Sequence, residues 1–278
     1  MRAGSLVALT GDIDDGMEDF DTCIRPLAEM LSACQTRMTI PVTAAALPLN
    51  PRKIGYLAES GHEITGHGDV HIPFRGPIEA QVERLRAMKR TFLEILGFEP
   101  VGFRAPYMAH DSNLYTALSL EGFMYDSSRV AVDPVAYLRY SLTNRSFLPR
   151  QEGFAFPRAL IRYLFRASSP MPLVVAKGIV ELPVSEFDDW FLLDAPHGPR
   201  LAGDRERKIL DIWLEASRHF GSRRHVCVIQ AHPKRMSPTR LKIIEEFVDE
   251  VTDSGHELVT LREMASRTIH GDTNVGPQ

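Results

Sequence analysis

Residues 5–16 read SLVALTGDIDDG. The apolar run from Leu6 to Leu9 has the character of a short buried strand. It delivers three carboxylates within four positions, Asp12, Asp14 and Asp15. Like charges this close raise one another's pKa and are costly unless something positive sits among them. A metal ion is one answer. A polar, Asp-rich turn before Gly16 is the other. The residues that the rest of the chain brings to the same place decide between them.

Outward from this stretch, strands and helices alternate. Residues 22–34 have helical spacing, with Pro26 confining the regular part to the second half. Residues 37–44 are β-branched and strand-like, and Asn50-Pro51 opens a short helix. Residues 62–65 predict a strand that runs into His67-Gly68-Asp69-Val70-His71. Gly76-Pro77 opens the clearest helix, with Ile78, Val82, Leu85, Phe92 and Leu96 on one stripe and Gly97 as its stop. Further strands are expected at 101–103, 123–125, 178–184, 225–229 and 257–260, with helices from Asp111, Asp204 and Ser237. About seven such alternations in a single domain suggest an α/β barrel of parallel strands. We place the domain at 1–267, with an irregular basic insertion at about 129–177 and a flexible polar tail at 268–278.

The 278 residues suit one large α/β domain, and 44% hydrophobic with 24% charged content is that of a globular protein with a sizeable core. The net charge of −4 argues against a general nucleic-acid binder. Three cysteines give neither a disulfide framework nor a Cys-x-x-Cys metal site. The first apolar stretch is too short for a signal peptide or a membrane span, so the expectation is a cytoplasmic protein.

Five polar clusters each follow a predicted strand: Asp14/Asp15, His67/His71, Arg104, Asp188/Asp189 and His232. In a parallel barrel, strand ends of this kind share one face, where catalytic residues gather. His67 and His71 are four apart, so one helical turn would aim both imidazoles the same way. Two histidines and one carboxylate make a hydrolytic metal site with positions left for water and substrate.

The ordered set Ile13-Asp14-Asp15-Gly16, His67-x-x-x-His71, Arg104-x-Pro106-Tyr107, Asp189-Trp190 and His232-Pro233 resembles the polysaccharide deacetylases, carbohydrate esterase family 4. Gly61-His62-Glu63-Ile64 and Gly122-Phe123-x-Tyr125-Asp126-Ser127-Ser128 are similar to that family too, and the likeness runs from about residue 5 to 261. The resemblance implies a distorted (β/α) barrel and metal-dependent removal of an acyl group from an amide nitrogen of an amino sugar or related glycan. It implies Asp14 as catalytic base and Asp15, His67 and His71 as ligands of one divalent ion. Zinc is the first choice, with cobalt, manganese or iron(II) as alternatives. Arg104 would hold Asp14, Asp189 would orient the acid His232, and Tyr107 and Trp190 would line the substrate groove.

Three positions depart from the family pattern. Asp12 stands where Thr is usual, so a third carboxylate competes as base or ligand. Gly68 replaces a Ser or Thr. Gln230 replaces an apolar residue two before His232, which implies a more polar acyl pocket. A deformylase or cyclic-amide hydrolase therefore stays open, as do an iron(II) oxygenase and an inactive sugar-binding module. The insertion carries eight basic residues, Arg129, Arg139, Arg145, Arg150, Arg158, Arg162, Arg166 and Lys177, against Asp133 and Glu152. It is either a solvated surface helix or an arm for a phosphate-bearing substrate or a membrane surface.

Overall fold

The run of apolar and β-branched residues from Leu6 to Thr10 forms β1, which is buried along its whole length. A computed structural model of the chain describes residues 5–131, 173–176, 178–185, 188–189, 204–222 and 226–270. Within them, β2 (Thr39–Val42), β3 (Glu63–Gly66), β4 (Gly102–Phe103) and β5 (Tyr125–Asp126) follow β1 around a curled sheet. The strand order is β10-β1-β2-β3-β4-β5-β8, parallel throughout, where β8 is Ile179–Glu181 and β10 is Cys227–Gln230. Strand β7 (Leu173–Ala176) folds back antiparallel on β8, inside the segment expected to be irregular. Short β6 (Val130–Ala131) pairs with β9 (Val184–Ser185), and β11 (Glu257–Leu258) pairs with the start of β1. The Ser185 hydroxyl accepts the Val228 N–H at 3.0 Å, tying β9 to β10 across the gap in the ring. The result is a distorted (β/α) barrel in a single domain, as the alternation of elements predicts.

Helices α1 (Arg25–Ala33), α2 (Pro51–Glu59), α3 (Ile78–Leu96), α4 (Asn113–Leu120), α5 (Arg205–Ser222), α6 (Pro238–Asp253) and α7 (Leu261–Ile269) are the described helices around the sheet. None of them is long and apolar enough to cross a membrane. Alternation along the strands separates two cores. Val7, Leu9, Ile40 and Val42 face the helices, while Leu6, Ala8, Tyr125, Val180 and Val228 fill the barrel. In α3 the stripe Val82, Leu85, Met88, Phe92 is buried, and Gly97 closes the helix in the left-handed conformation at φ 79°. The basic helix anticipated around 158–166 lies outside the described residues.

One polar feature is fully buried in the fold. Asp126 and Glu181 are register partners on β5 and β8, and neither is exposed. Ser128 donates to Asp126 at 2.6 Å, and the Tyr115 hydroxyl and Arg129 N–H donate to Glu181 at 3.1 and 3.0 Å. Burial raises the pKa of both, and the Asp126 charge adds to the rise at Glu181. Such a pair keeps a proton between its carboxyls. A carboxyl whose folded pKa lies above its unfolded one loses stability as pH rises from the unfolded value. Glu181→Gln should therefore match the parent near pH 4 and exceed it by about 1 kcal/mol at pH 8. Denaturant unfolding at the two pH values tests this, and a pH-independent difference would refute the shared proton.

Candidate active site

The extended backbone of β1 continues beyond Thr10. Ile13 N–H donates to the Pro41 carbonyl at 2.8 Å, and its carbonyl accepts from Thr43 at 3.1 Å. On extended backbone, alternate residues share a face. Ile13 therefore turns into the core, fully buried, while Asp12 and Asp14 both turn toward the barrel mouth. Asp15 points the other way. Its side chain is 74% exposed and pairs with Lys234.

This alternation gives a different partition of the acids from the one the motif suggested. Arg104, with no exposed surface, holds Asp12 rather than Asp14, through NH1 to Oδ1 at 2.7 Å. The other Asp12 oxygen accepts from the Gln230 amide at 2.8 Å. The guanidinium also donates to Thr10, to the Ser127 carbonyl and to the Ser127 hydroxyl, at 3.0–3.1 Å. The carboxylate that joins the two histidines is Asp14 rather than Asp15. Its Oδ1 lies 3.3 Å from His67 Nε2 and 3.4 Å from His71 Nε2.

His67 follows β3 and is buried; its Nδ1 donates to the Arg104 carbonyl at 2.9 Å. With Nδ1 so engaged, the ring turns Nε2 toward Asp14. His71 follows on a loop, not on the helical turn that its spacing suggested. Gly68 is the reason: its φ of +87° breaks any helix, and a Cβ there would come within 3.1 Å of the Val70 carbonyl and 3.2 Å of Pro106. A Ser or Thr would be strained in that geometry. Burial lowers the His71 pKa more than Asp14 raises it, which favours the neutral ligand form. The Tyr107 ring sits on His71 with 4.2 Å between centroids, at a left-handed φ of 57°.

A metal ion fits this set. Asp14 Oδ1 is buried, in hydrogen-bond alignment with nothing among the described residues, and faces two imidazole nitrogens. The three donor atoms lie within 4.8 Å of one another. A buried carboxylate oxygen left so is costly, and a divalent cation with mixed N/O ligands removes the cost.

Across the mouth, Asp189 is buried and accepts both the His232 backbone N–H at 3.1 Å and its Nδ1 at 2.6 Å. Burial opposes the charge on His232, but the bond to Asp189 outweighs it and raises the pKa to about 9. Nε2 is left to face the mouth. Trp190 lies outside the described residues. His62, in the family-like stretch before β3, is buried and accepts the Met38 N–H at 3.3 Å. Gln230 stood out in the sequence only as a departure from the family pattern; its role as a partner of Asp12 has no local sequence signal.

With this geometry in hand, the solved structures supply a context. No protein-family model matches the sequence, and no curated protein does. Among solved structures, the chain is similar to a protein of Mycobacterium smegmatis assigned to the polysaccharide deacetylases, at TM-score 0.70 and 21% identity, covering 99% of this chain and 92% of that one. It is similar to Puue allantoinase at TM-score 0.64 and 14% identity, covering 98% and 92%. A family 4 acetyl xylan esterase from Clostridium thermocellum, in complex with a cobalt ion, matches at TM-score 0.50 and 14% identity, covering 96% and 92%. The chain thus has the polysaccharide-deacetylase fold.

The His232 pKa is directly testable. In metal-free protein its ring resonances should titrate with a midpoint near 9. Asp189→Asn should bring that midpoint down to the ordinary 6.5 or below, because burial remains while the partner charge is gone. The stability that the pair contributes should be complete below pH 6.5 and fall away as pH rises toward 9. A parent midpoint near 6.5 would refute the pairing.

Proposed function

We propose that this protein is a metal-dependent hydrolase that removes an acyl group from the nitrogen of an acylated sugar. The observation that carries the reading is Asp14 Oδ1, buried between two imidazole nitrogens with no aligned hydrogen bond among the described residues. Two hydrogen-bonded carboxylates flank it, one held by Arg104 and one by His232. Asp14, His67 and His71 would hold one divalent ion, with zinc or cobalt suited to two imidazoles and a carboxylate. When bound, the ion polarises the acyl carbonyl and lowers the pKa of its water.

The remaining chemistry belongs to the chain. Asp12 accepts the proton of the attacking water. Arg104 and Gln230 fix it in place, and each of its oxygens keeps a free lone pair. His232, charged at neutral pH, donates from Nε2 to the leaving nitrogen, which departs as an amine only if protonated. Tyr107 walls the ligand side. The basic excess at 129–177 supports an anionic group on the substrate, such as phosphate.

A second reading is hydrolysis of a cyclic amide. Gln230 favours it: its side-chain oxygen is buried beside Asp12 without a partner among the described residues, a group that suits a substrate N–H better than an acetyl methyl. Acetate release from acetylated amino sugars, measured beside ring opening of hydantoin-type amides with added Zn²⁺ or Co²⁺, separates the two readings.

The partition of the acids makes its own forecast. Asp12→Asn should lower turnover by about 10²-fold or more with the metal retained. Asp14→Asn should lose the metal, and Asp15→Asn should change neither by more than a few fold. Metal content and kinetics of the three variants check this. An Asp15 variant that loses the metal while the Asp14 variant keeps it would overturn the assignment.

A further inference from the structure

The two histidines are supported very differently. His67 stands at the end of β3, where its own N–H donates to the Val42 carbonyl and the next strand takes up the Gly66 carbonyl, both at 2.9 Å. His71 stands on a loop of neither helix nor strand, between Gly68 and Phe74. A ligand on such a loop holds its place only if the loop is held. From one side, the Ala44 and Ala45 N–H groups donate to the carbonyls of Gly68 and Asp69, each at 2.9 Å.

On the other side the Phe74 N–H donates to the Ala109 carbonyl at 2.8 Å, the Tyr107 ring packs on His71, and one side chain adds the contacts nearest the ligand. Arg84, on α3, reaches back over the loop. Its Nε and NH2 meet Asp69 Oδ1 at 2.8 and 2.7 Å, and its NH1 donates to the Pro73 carbonyl at 3.1 Å. The guanidinium lies 4.2 Å from the centre of the Phe74 ring, and Phe74 is fully buried. Arg84 thus grips the segment on both sides of His71, at Asp69 before it and at Pro73 after it. The Arg84 and Asp69 side chains are 18% and 26% exposed, so their attraction is less screened than that of a surface pair. The planar fork suits this task, because it bonds a carboxylate, bonds a carbonyl and stacks on a ring at once.

We propose that Arg84 is a positioning residue for the metal centre, acting through Asp69 and Pro73 to hold His71 in ligand geometry. The proposal rests on the reading of Asp14, His67 and His71 as metal ligands. It assigns Arg84 no contact with substrate or ion. Partners that orient metal ligands typically affect affinity by about 10- to 100-fold. Acting one bond further out, Arg84 belongs at the lower end.

The test is Zn²⁺ affinity of the metal-free full-length chain, measured by competition with a chromophoric chelator. Arg84→Gln should weaken Zn²⁺ binding about 10-fold. Arg84→Lys should recover only part of the loss, because an ammonium cannot make the forked and stacked contacts together. Asp69→Asn should weaken binding as well, and Arg84→Gln combined with Asp69→Asn should lose no more than the worse single variant, since both cut the same link. Thermal unfolding of the metal-free proteins reports whether each variant folds; Asp69→Asn carries the test if Arg84→Gln does not. Unchanged Zn²⁺ affinity in folded Arg84→Gln, or losses that add in the double variant, would overturn the proposal. Absence of Zn²⁺ binding by the parent would instead overturn the ligand reading beneath it.

Discussion

The structure depends on one buried cation. Arg104 has no exposed surface, and it joins Thr10 and Asp12, at the end of the first strand, to Ser127 beyond the fifth. A guanidinium cannot discard its proton to escape burial. It must be met by a carboxylate and by enough acceptors to use its donors, or the barrel does not close around it. Asp12 supplies the charge and the Ser127 and Thr10 oxygens complete the set. This requirement fixes where the first strand ends relative to the fourth and fifth, and so fixes the mouth.

Once Arg104 is satisfied, the charges at the mouth sort themselves. Asp12 is neutralised by Arg104, and Asp189 is neutralised by the His232 imidazolium. Asp15 is neutralised at the surface by Lys234. Asp14 instead faces two imidazoles, His67, whose Nδ1 is engaged by the Arg104 carbonyl, and His71, whose pKa burial lowers. A buried carboxylate oxygen facing two imidazole nitrogens has the geometry of a cation-binding centre.

That sorting was only half legible in the sequence. The barrel was legible, because α3 shows its stripe plainly and polar clusters recur after successive strands. The gathering of Asp, His, Arg and His232 at one face follows from parallel topology alone. The register of the acids was not legible from the strand itself. Leu6–Thr10 is buried on both faces and shows no alternation that would phase the residues after it. The one clue was Ile13, an apolar residue between two carboxylates, which period two assigns to the opposite face. The adjacent pair Asp14-Asp15 drew attention away from it. The spacing of His67 and His71 pointed to a helix, but spacing carries no backbone sign, and Gly68 supplies a left-handed turn instead. Arg84 looked like any charged residue on the polar face of a helix. Its reach back to Asp69 is a tertiary fact that local pattern does not contain.

The spacing of Asp12 and His232 follows from a still closer constraint. Gln230 and His232 lie on the same chain segment, at the end of β10, and the first holds Asp12 while the second pairs with Asp189. Strand β10 is the immediate neighbour of β1, in register from Val7 with Cys227 to Thr10 with Gln230. Just past that register the two backbones close to contact at Gly11. A Cβ there would lie 2.3 Å from the Ala231 carbonyl oxygen and 2.7 Å from the Pro233 ring. Only glycine permits the approach. Any side chain would push β10 outward, lengthen the bond from Gln230 to Asp12 and carry His232 away from Asp12. The distance between Asp12 and His232 is thus set by backbone against backbone, the stiffest contact a barrel offers, and the side chains at the mouth inherit their geometry from it.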